Sequence, residues 1–170
     1  MSDDLAPWVP RLRRYARALA GNRDDADDLV QDTLERAWSR AGLWRNVVDM
    51  RAWLFAIMHN LHVDALRRGR LAVVAFDEDA ADAVAPPPQA ARAAMLDLQG
   101  ALDRLAPEQR EVLLLVALED MAYADIARTL GIPLGTVMSR LSRGRERLRL
   151  LLDGTPSAPG GDAVRLKVVK

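Results

Sequence analysis

Cysteine is absent from this chain of 170 residues, which excludes a disulfide framework and a thiolate metal site, and with them direct thiol sensing. The absence fits a reducing interior. Aromatic residues make up only 5% of the sequence, while alanine and leucine abound, a bias that favours helix over sheet. Lysine is nearly missing: apart from Lys167 and Lys170 every basic residue is arginine. Arginine pairs bidentately with phosphate and guanine, although GC-rich coding produces the same bias. Net charge is also lacking, with 24 basic and 24 acidic residues. No apolar run is long enough to span a bilayer, and the opening MSDDLAPW has no basic stretch followed by an apolar one. A cytoplasmic protein without membrane insertion is the simple expectation.

Half of the residues are apolar, enough for a core in one ordinary domain or two small ones. The charge balance conceals segregation. Residues 133–149 hold five arginines and one acid, Glu146, whereas residues 76–86 hold Asp77, Glu78, Asp79 and Asp82 and no base. A chain neutral in total can therefore present a basic face locally.

Periodicity predicts three or four helices up to about Arg70. Trp8, Leu12, Tyr15, Ala16 and Leu19 space one apolar face, ended by Gly21. Asn22 can cap a second helix whose positive end gathers Asp24, Asp25, Asp27 and Asp28, and whose buried side reads Leu29, Val30, Leu34, Ala37 and Trp38. Asp49 can cap a third, carrying Trp53, Leu54, Ile57, Met58, Leu61 and Leu66. Residues 71–92 turn acidic and alanine-rich and contain Pro86, Pro87 and Pro88, which reads as a linker. Helical spacing resumes near Ala93, and Pro107 starts a helix over Glu108–Leu118. The expectation is an all-α fold of two small domains, residues 1–70 and 93–152, with a disordered tail over 153–170.

The segment Tyr123–Arg149 carries the most specific pattern. Ile126, Ala127 and Leu130 mark one short helix, Gly131 can take the left-handed conformation that ends it, and Pro133 can open the next. Val137, Leu141 and Leu148 then form an apolar stripe, with Arg140, Arg143, Arg145, Arg147 and Arg149 projecting elsewhere. A helix-turn-helix with a basic second helix fits the DNA major groove. Earlier in the chain, Asp28, Gln31, Asp32 and Glu35 share one helix face opposite Val30 and Ala37; a solvated acidic face is the plain reading. Asn60, Asp64 and Arg68 recur at i, i+4, which a local ion pair would explain. His59 and His62 have no nucleophile or carboxylate pair beside them in sequence and read as packing or surface residues.

Three blocks, DADDLVQDTLERAW (Asp25–Trp38), RAWLFAIMHNLHVDALRR (Arg51–Arg68) and Leu102–Arg149, together resemble an extracytoplasmic-function (ECF) RNA polymerase sigma factor, in that family's order and spacing across roughly residues 8–152. The resemblance implies a region 2-like bundle, a connecting linker and a region 4-like helix-turn-helix. It implies core RNA polymerase contacts at Asp28, Leu29, Gln31, Asp32 and Glu35, where acids meet a basic clamp. For the promoter −10 element it implies Trp44, Arg45, Asn46, Arg51, Asn60, Asp64, Arg67 and Arg68, with Trp44 offering a stacking surface for an unpaired base. For the −35 element it implies Pro133, Thr136, Met138, Ser139, Arg140 and Arg143 at the start of the recognition helix. Position 138 is often basic in the family; Met138 cannot donate to guanine, so it reads a thymine methyl or shifts specificity. Asp125 stands where relatives usually carry glutamate.

The implied partners are core RNA polymerase, promoter DNA and an anti-sigma factor, with no small-molecule substrate, cofactor or metal and no catalysis by the chain itself. The acids of the linker would mimic nucleic-acid charge inside a basic channel, or form a plain acidic tether. Two other readings remain open at this level: a helix-turn-helix regulator that acts without polymerase, and a sigma-like decoy. The first leaves the acidic helix and the Arg51–Arg68 block without a purpose.

Overall fold

Asn22 shows how local chemistry starts the bundle. Its backbone is extended, and its side-chain oxygen accepts from the Asp25 amide at 2.8 Å, which satisfies one of the free donors at the start of the second helix. Asp49 does the same for the third helix through the Ala52 amide at 3.1 Å. Both caps stand where the sequence places them.

The computed structural model describes residues 5–72 and 89–154. A 3-10 turn, Ala6–Trp8, leads into α1 (Val9–Ala20), α2 (Arg23–Ser39), a second 3-10 turn (Ala41–Asn46) and α3 (Met50–Ala72). The C-terminal half comprises α4 (Gln89–Asp103), α5 (Pro107–Glu119), α6 (Tyr123–Leu130) and α7 (Leu134–Asp153). Among the described residues there is no strand, so the all-α expectation holds.

Three boundaries differ from the sequence reading. Helix α3 continues to Ala72, and α4 begins at Gln89, directly after the three prolines, because a proline restricts the residue before it and not the one after. The acidic stretch Asp77–Asp82 and the tail from Thr155 lie outside the described residues. Helix α5 also runs one residue further, to Glu119, and ends on Asp120 in the left-handed conformation (φ 49°), a position where glycine is the usual signal.

In the N-terminal half α1 packs on α2 and α2 on α3, with Tyr15 of α1 meeting Phe55 of α3 edge-on at 5.0 Å. In the C-terminal half α7 is the hub, touching α4, α5 and α6. Gly144 permits the α5–α7 approach: a Cβ there would stand 2.9 Å from Leu113 Cδ1 and 3.3 Å from Gln109 Cβ. The two halves do not stand apart. Helix α1 packs on α5 and α3 on α6, and one buried apolar cluster runs through both halves.

The junction between the halves is polar as well as apolar. The Glu119 side chain is fully buried there, and its carboxylate receives Arg11 and Arg14 of α1. Glu111 lies 2.6 Å from His59 Nδ1, and Arg110 donates to the Leu19 carbonyl at 2.8 Å. Burial and the nearby Glu111 and Glu119 carboxylates hold the Tyr15 hydroxyl well above its usual pKa, because all three disfavour a phenolate.

Candidate partner-binding surfaces

Helix α2 presents Asp28, Gln31, Asp32 and Glu35 to solvent, while Val30 and Ala37 are buried on its other side. Gln31 donates to Glu35 at 3.0 Å; Asp28 and Asp32 have no intramolecular ion pair among the described residues. Leu29, placed by resemblance in the same contact set, is buried at 7% exposure and packs in the core. It supports the acidic face from beneath and has no surface to offer a partner.

The residues expected around the −10 element divide. Asn60, Asp64, Arg67 and Arg68 are exposed on α3, and Asp64, Arg67 and Arg68 share a groove with Asp32, Glu35 and Arg36 of α2. Among the described residues no ion pair links the charged groups of that groove, so the expected Asp64–Arg68 pair is absent. Arg51 lies nine positions before Asn60, half a turn out of phase, and faces the C-terminal half, where its Nη1 donates to the Glu119 carbonyl at 3.0 Å. Asn46 is exposed, and the Arg45 side chain lies outside the described residues.

Trp44 does not offer a stacking surface. It is 6% exposed, and its Nε1 donates to the Ala37 carbonyl at 2.9 Å, tying the 3-10 turn to the end of α2. The exposed indole is Trp38, at 66%, which the helical pattern assigns to the buried side. The two rings meet edge-on at 5.7 Å. One tryptophan therefore takes the interior place predicted for the other. Nothing in a 3.6-residue pattern says which of two aromatics near a helix end the following turn will cover.

The helix-turn-helix forms as its sequence directs. Gly131 ends α6 with φ 65°, a conformation that costs a side-chain-bearing residue strain. Pro133 is the N-cap of α7 with extended backbone, and the Thr136 amide donates to its carbonyl at 3.0 Å. Val137, Leu141, Gly144 and Leu151 face inward. Thr136 is half-buried, and Ser139 donates its hydroxyl to the Thr136 carbonyl at 3.1 Å. Met138 is 53% exposed beside Tyr123, Arg145 and Arg149.

The arginines of α7 fall into two groups. Arg149 is held by Glu146 at 2.9 Å and Asp153 at 2.9 Å, and Arg145 reaches the Tyr123 hydroxyl at 3.4 Å. That pairing with Arg149 holds the Glu146 carboxyl below its usual pKa. Arg140, Arg143 and Arg147 have no hydrogen bond or ion pair to any described residue. Their charge is available to an external anion.

The histidines read from sequence as packing or surface residues, yet His59 makes a specific polar contact across the two halves. Among the described residues no three His, Asp or Glu side chains converge on a metal-sized site, and no helix is long and apolar enough to cross a membrane.

Comparison with known proteins matches this geometry at both ends. Residues 5–59 match the family described as the sigma2 domain of PhyR, and residues 95–148 match sigma-70 region 4. The chain is 38% identical over 168 residues to the ECF RNA polymerase sigma factor EcfG of Rhodopseudomonas palustris, spanning 97% of this chain and 93% of that one. It is 38% identical over 146 residues to the ECF sigma factor SigM of Mycobacterium tuberculosis, spanning 84% of this chain and 71% of that one. Its fold superposes on the sigma factor RpoE of Bartonella quintana, solved with the anti-sigma factor NepR, with a TM-score of 0.76 and 34% identity over 89% of this chain and 95% of that one. With two helical halves matching regions 2 and 4 and relatives of this identity along nearly its whole length, the chain belongs to the ECF RNA polymerase sigma factor family.

Proposed function

We propose that this chain binds core RNA polymerase through the acidic face of α2 and directs promoter-specific initiation, with α7 on the −35 duplex and the exposed end of α3 on the −10 element. The observation that carries the reading is a pair of exposed faces of opposite charge on opposite halves of the molecule. Asp28 and Asp32 on α2, and Arg140, Arg143 and Arg147 on α7, are all left without a counter-charge among the described residues. An acidic face suits a basic protein clamp, and a basic recognition helix suits phosphate and guanine. Its place of work is then the cytoplasm, where polymerase and promoter meet.

Regulation by an anti-sigma factor belongs to the same reading, because the similar Bartonella sigma factor is bound to one. Run-off transcription tests the whole. Core polymerase with this chain, supplied with a promoter library, yields discrete promoter-specific transcripts that core alone does not give. DNA binding with no transcripts would favour the stand-alone regulator.

A further inference from the structure

Elements centred near −35 and −10 lie about 25 base pairs apart, about 85 Å of straight duplex at about 3.4 Å per base pair. A globule of this chain length has a radius of gyration of about 15 Å and is roughly 40 Å across. With α1 packed on α5 and α3 on α6, the chain cannot reach both elements at once. If it reads both, the junction must open.

Opening uncovers a specific object. Arg11 donates Nε and Nη2 to Glu119 Oε2 at 3.0 and 2.5 Å. Arg14 Nη2 reaches Glu119 Oε1 at 3.4 Å and the Leu118 carbonyl at 2.6 Å. Arg51 Nη1 donates to the Glu119 carbonyl at 3.0 Å. All four accepting atoms are oxygens from the end of one helix, and all three donors are guanidinium groups of the N-terminal half. Trp8 lies against the Arg11 guanidinium at 4.9 Å and helps to hold it in place. The Glu119 side chain is fully buried in this cradle, while the Arg11 and Arg14 side chains keep 38% and 56% of their exposure. The cradle is therefore open to solvent on one side even when it is filled.

We propose that Glu119 stands in for a phosphate: once the two halves separate, Arg11, Arg14 and Arg51 form a nucleic-acid backbone site that Glu119 occupies in the closed chain. The guanidinium fork that grips a carboxylate grips a phosphodiester by the same geometry. Separation leaves three cations together with no acid among them, which favours a polyanion over water. The occupant is DNA, because the cradle belongs to the half that engages the −10 element in the reading above; with Arg51 on the opposite face of α3 from Asn60, it is a backbone contact separate from the Asn60–Arg68 surface. Glu119 thereby couples the two events, since closing the chain removes a DNA contact and binding DNA removes the latch. The inference rests on the promoter-binding reading above.

The test uses the full chain and a mixed-sequence DNA duplex, titrated by anisotropy across a salt series. Glu119→Arg opens the junction by placing a fourth cation in the cradle. Because the chain has no cysteine, dye labels on cysteines introduced at the exposed Arg13 and Ala117 report the separation directly. Circular dichroism verifies that the helices persist, and Glu119→Ala replaces the first variant if they do not.

The expected result is a difference within the opened background. Adding Arg11→Ala and Arg14→Ala makes the slope of log K against log salt shallower by about 2, since each phosphate that is no longer neutralised removes about 0.9. Equal slopes with and without Arg11 and Arg14 in the opened background overturn the proposal. So does a loss of core polymerase affinity with no change in slope, which would make the cradle a protein site. Run-off activity of the unaltered chain separates the two levels: if it persists while the slopes are equal, only the cradle fails, and if it is absent, the promoter-binding reading fails with it.

Discussion

His59 Nδ1 lies 2.6 Å from Glu111 Oε1, joining α3 to α5 across 52 residues of sequence. A carboxylate only accepts, so the proton sits on Nδ1. Glu111 is buried at 4% exposure, where loss of its partner would leave an unsatisfied charge. Glu111→Ala is expected to lower the unfolding free energy by about 1–3 kcal/mol, measured by urea denaturation. His59→Ala should cost a similar amount, and the double variant clearly less than the sum. Strict additivity would show that the pair is not coupled.

His62, one turn from His59, responds to pH. Burial holds its pKa below the usual imidazole value; Glu111 opposes this, and Arg110 and His59 push the same way as burial. The unfolded chain takes this proton near pH 6.5, the folded chain only at lower pH. Between those two values the unfolded state binds more protons, so stability rises with pH there. The melting temperature should be flat above about pH 6.5 on account of this group and fall as pH drops below it. His62→Gln should flatten that fall; an unchanged pH profile would remove His62 as its source.

Trp44 separates a structural role from a DNA role. With its ring buried and its Nε1 bonded to Ala37, Trp44→Ala should destabilise the fold by about 3–5 kcal/mol. Trp44→Phe should recover most of that while the −10 affinity stays as in the unaltered chain. A selective loss of −10 binding in a stable Trp44→Phe variant would restore the stacking role.

On α2 the double change Asp28→Arg with Asp32→Arg reverses the exposed acidic face without touching the buried Leu29 beneath it. Core polymerase binding should be abolished and affinity for −35 duplex kept. Competition binding with labelled core measures the first and anisotropy the second. An unchanged affinity for core would rule out this face as the docking surface.

On α7 the free guanidinium groups of Arg140 and Arg143 should each contribute about 1–3 kcal/mol to −35 recognition if they read bases. Their alanine variants should also relax the sequence preference in a binding selection. A uniform loss across all sequences would assign them to phosphate instead. Met138, half exposed among arginines, is the position whose replacement by arginine should alter base preference rather than overall stability.

The helix-turn-helix is legible in the sequence because each of its parts is local. Gly131 needs only its own φ, Pro133 only its own ring, and the Val137–Leu141 stripe only the 3.6-residue period. The caps at Asn22 and Asp49 are local in the same sense, reaching three residues ahead. Helix phase alone suffices to place Asp28 and Asp32 on an outer face.

What the sequence determined by itself is therefore the set of helices, their faces and the family that carries them. What only the tertiary structure decided is which residues of one half meet the other. Glu119 lies next to an exposed Asp120, and no local sequence pattern tells which of the two acids will be buried, yet Glu119 is enclosed by arginines more than a hundred positions away. Arg51 bonds the Glu119 carbonyl across 68 residues, and Trp44 takes the interior place that periodicity offered to Trp38. Helix phase fixes direction within a segment, but the relative placement of two helices depends on packing summed over both surfaces, and no window of sequence contains both.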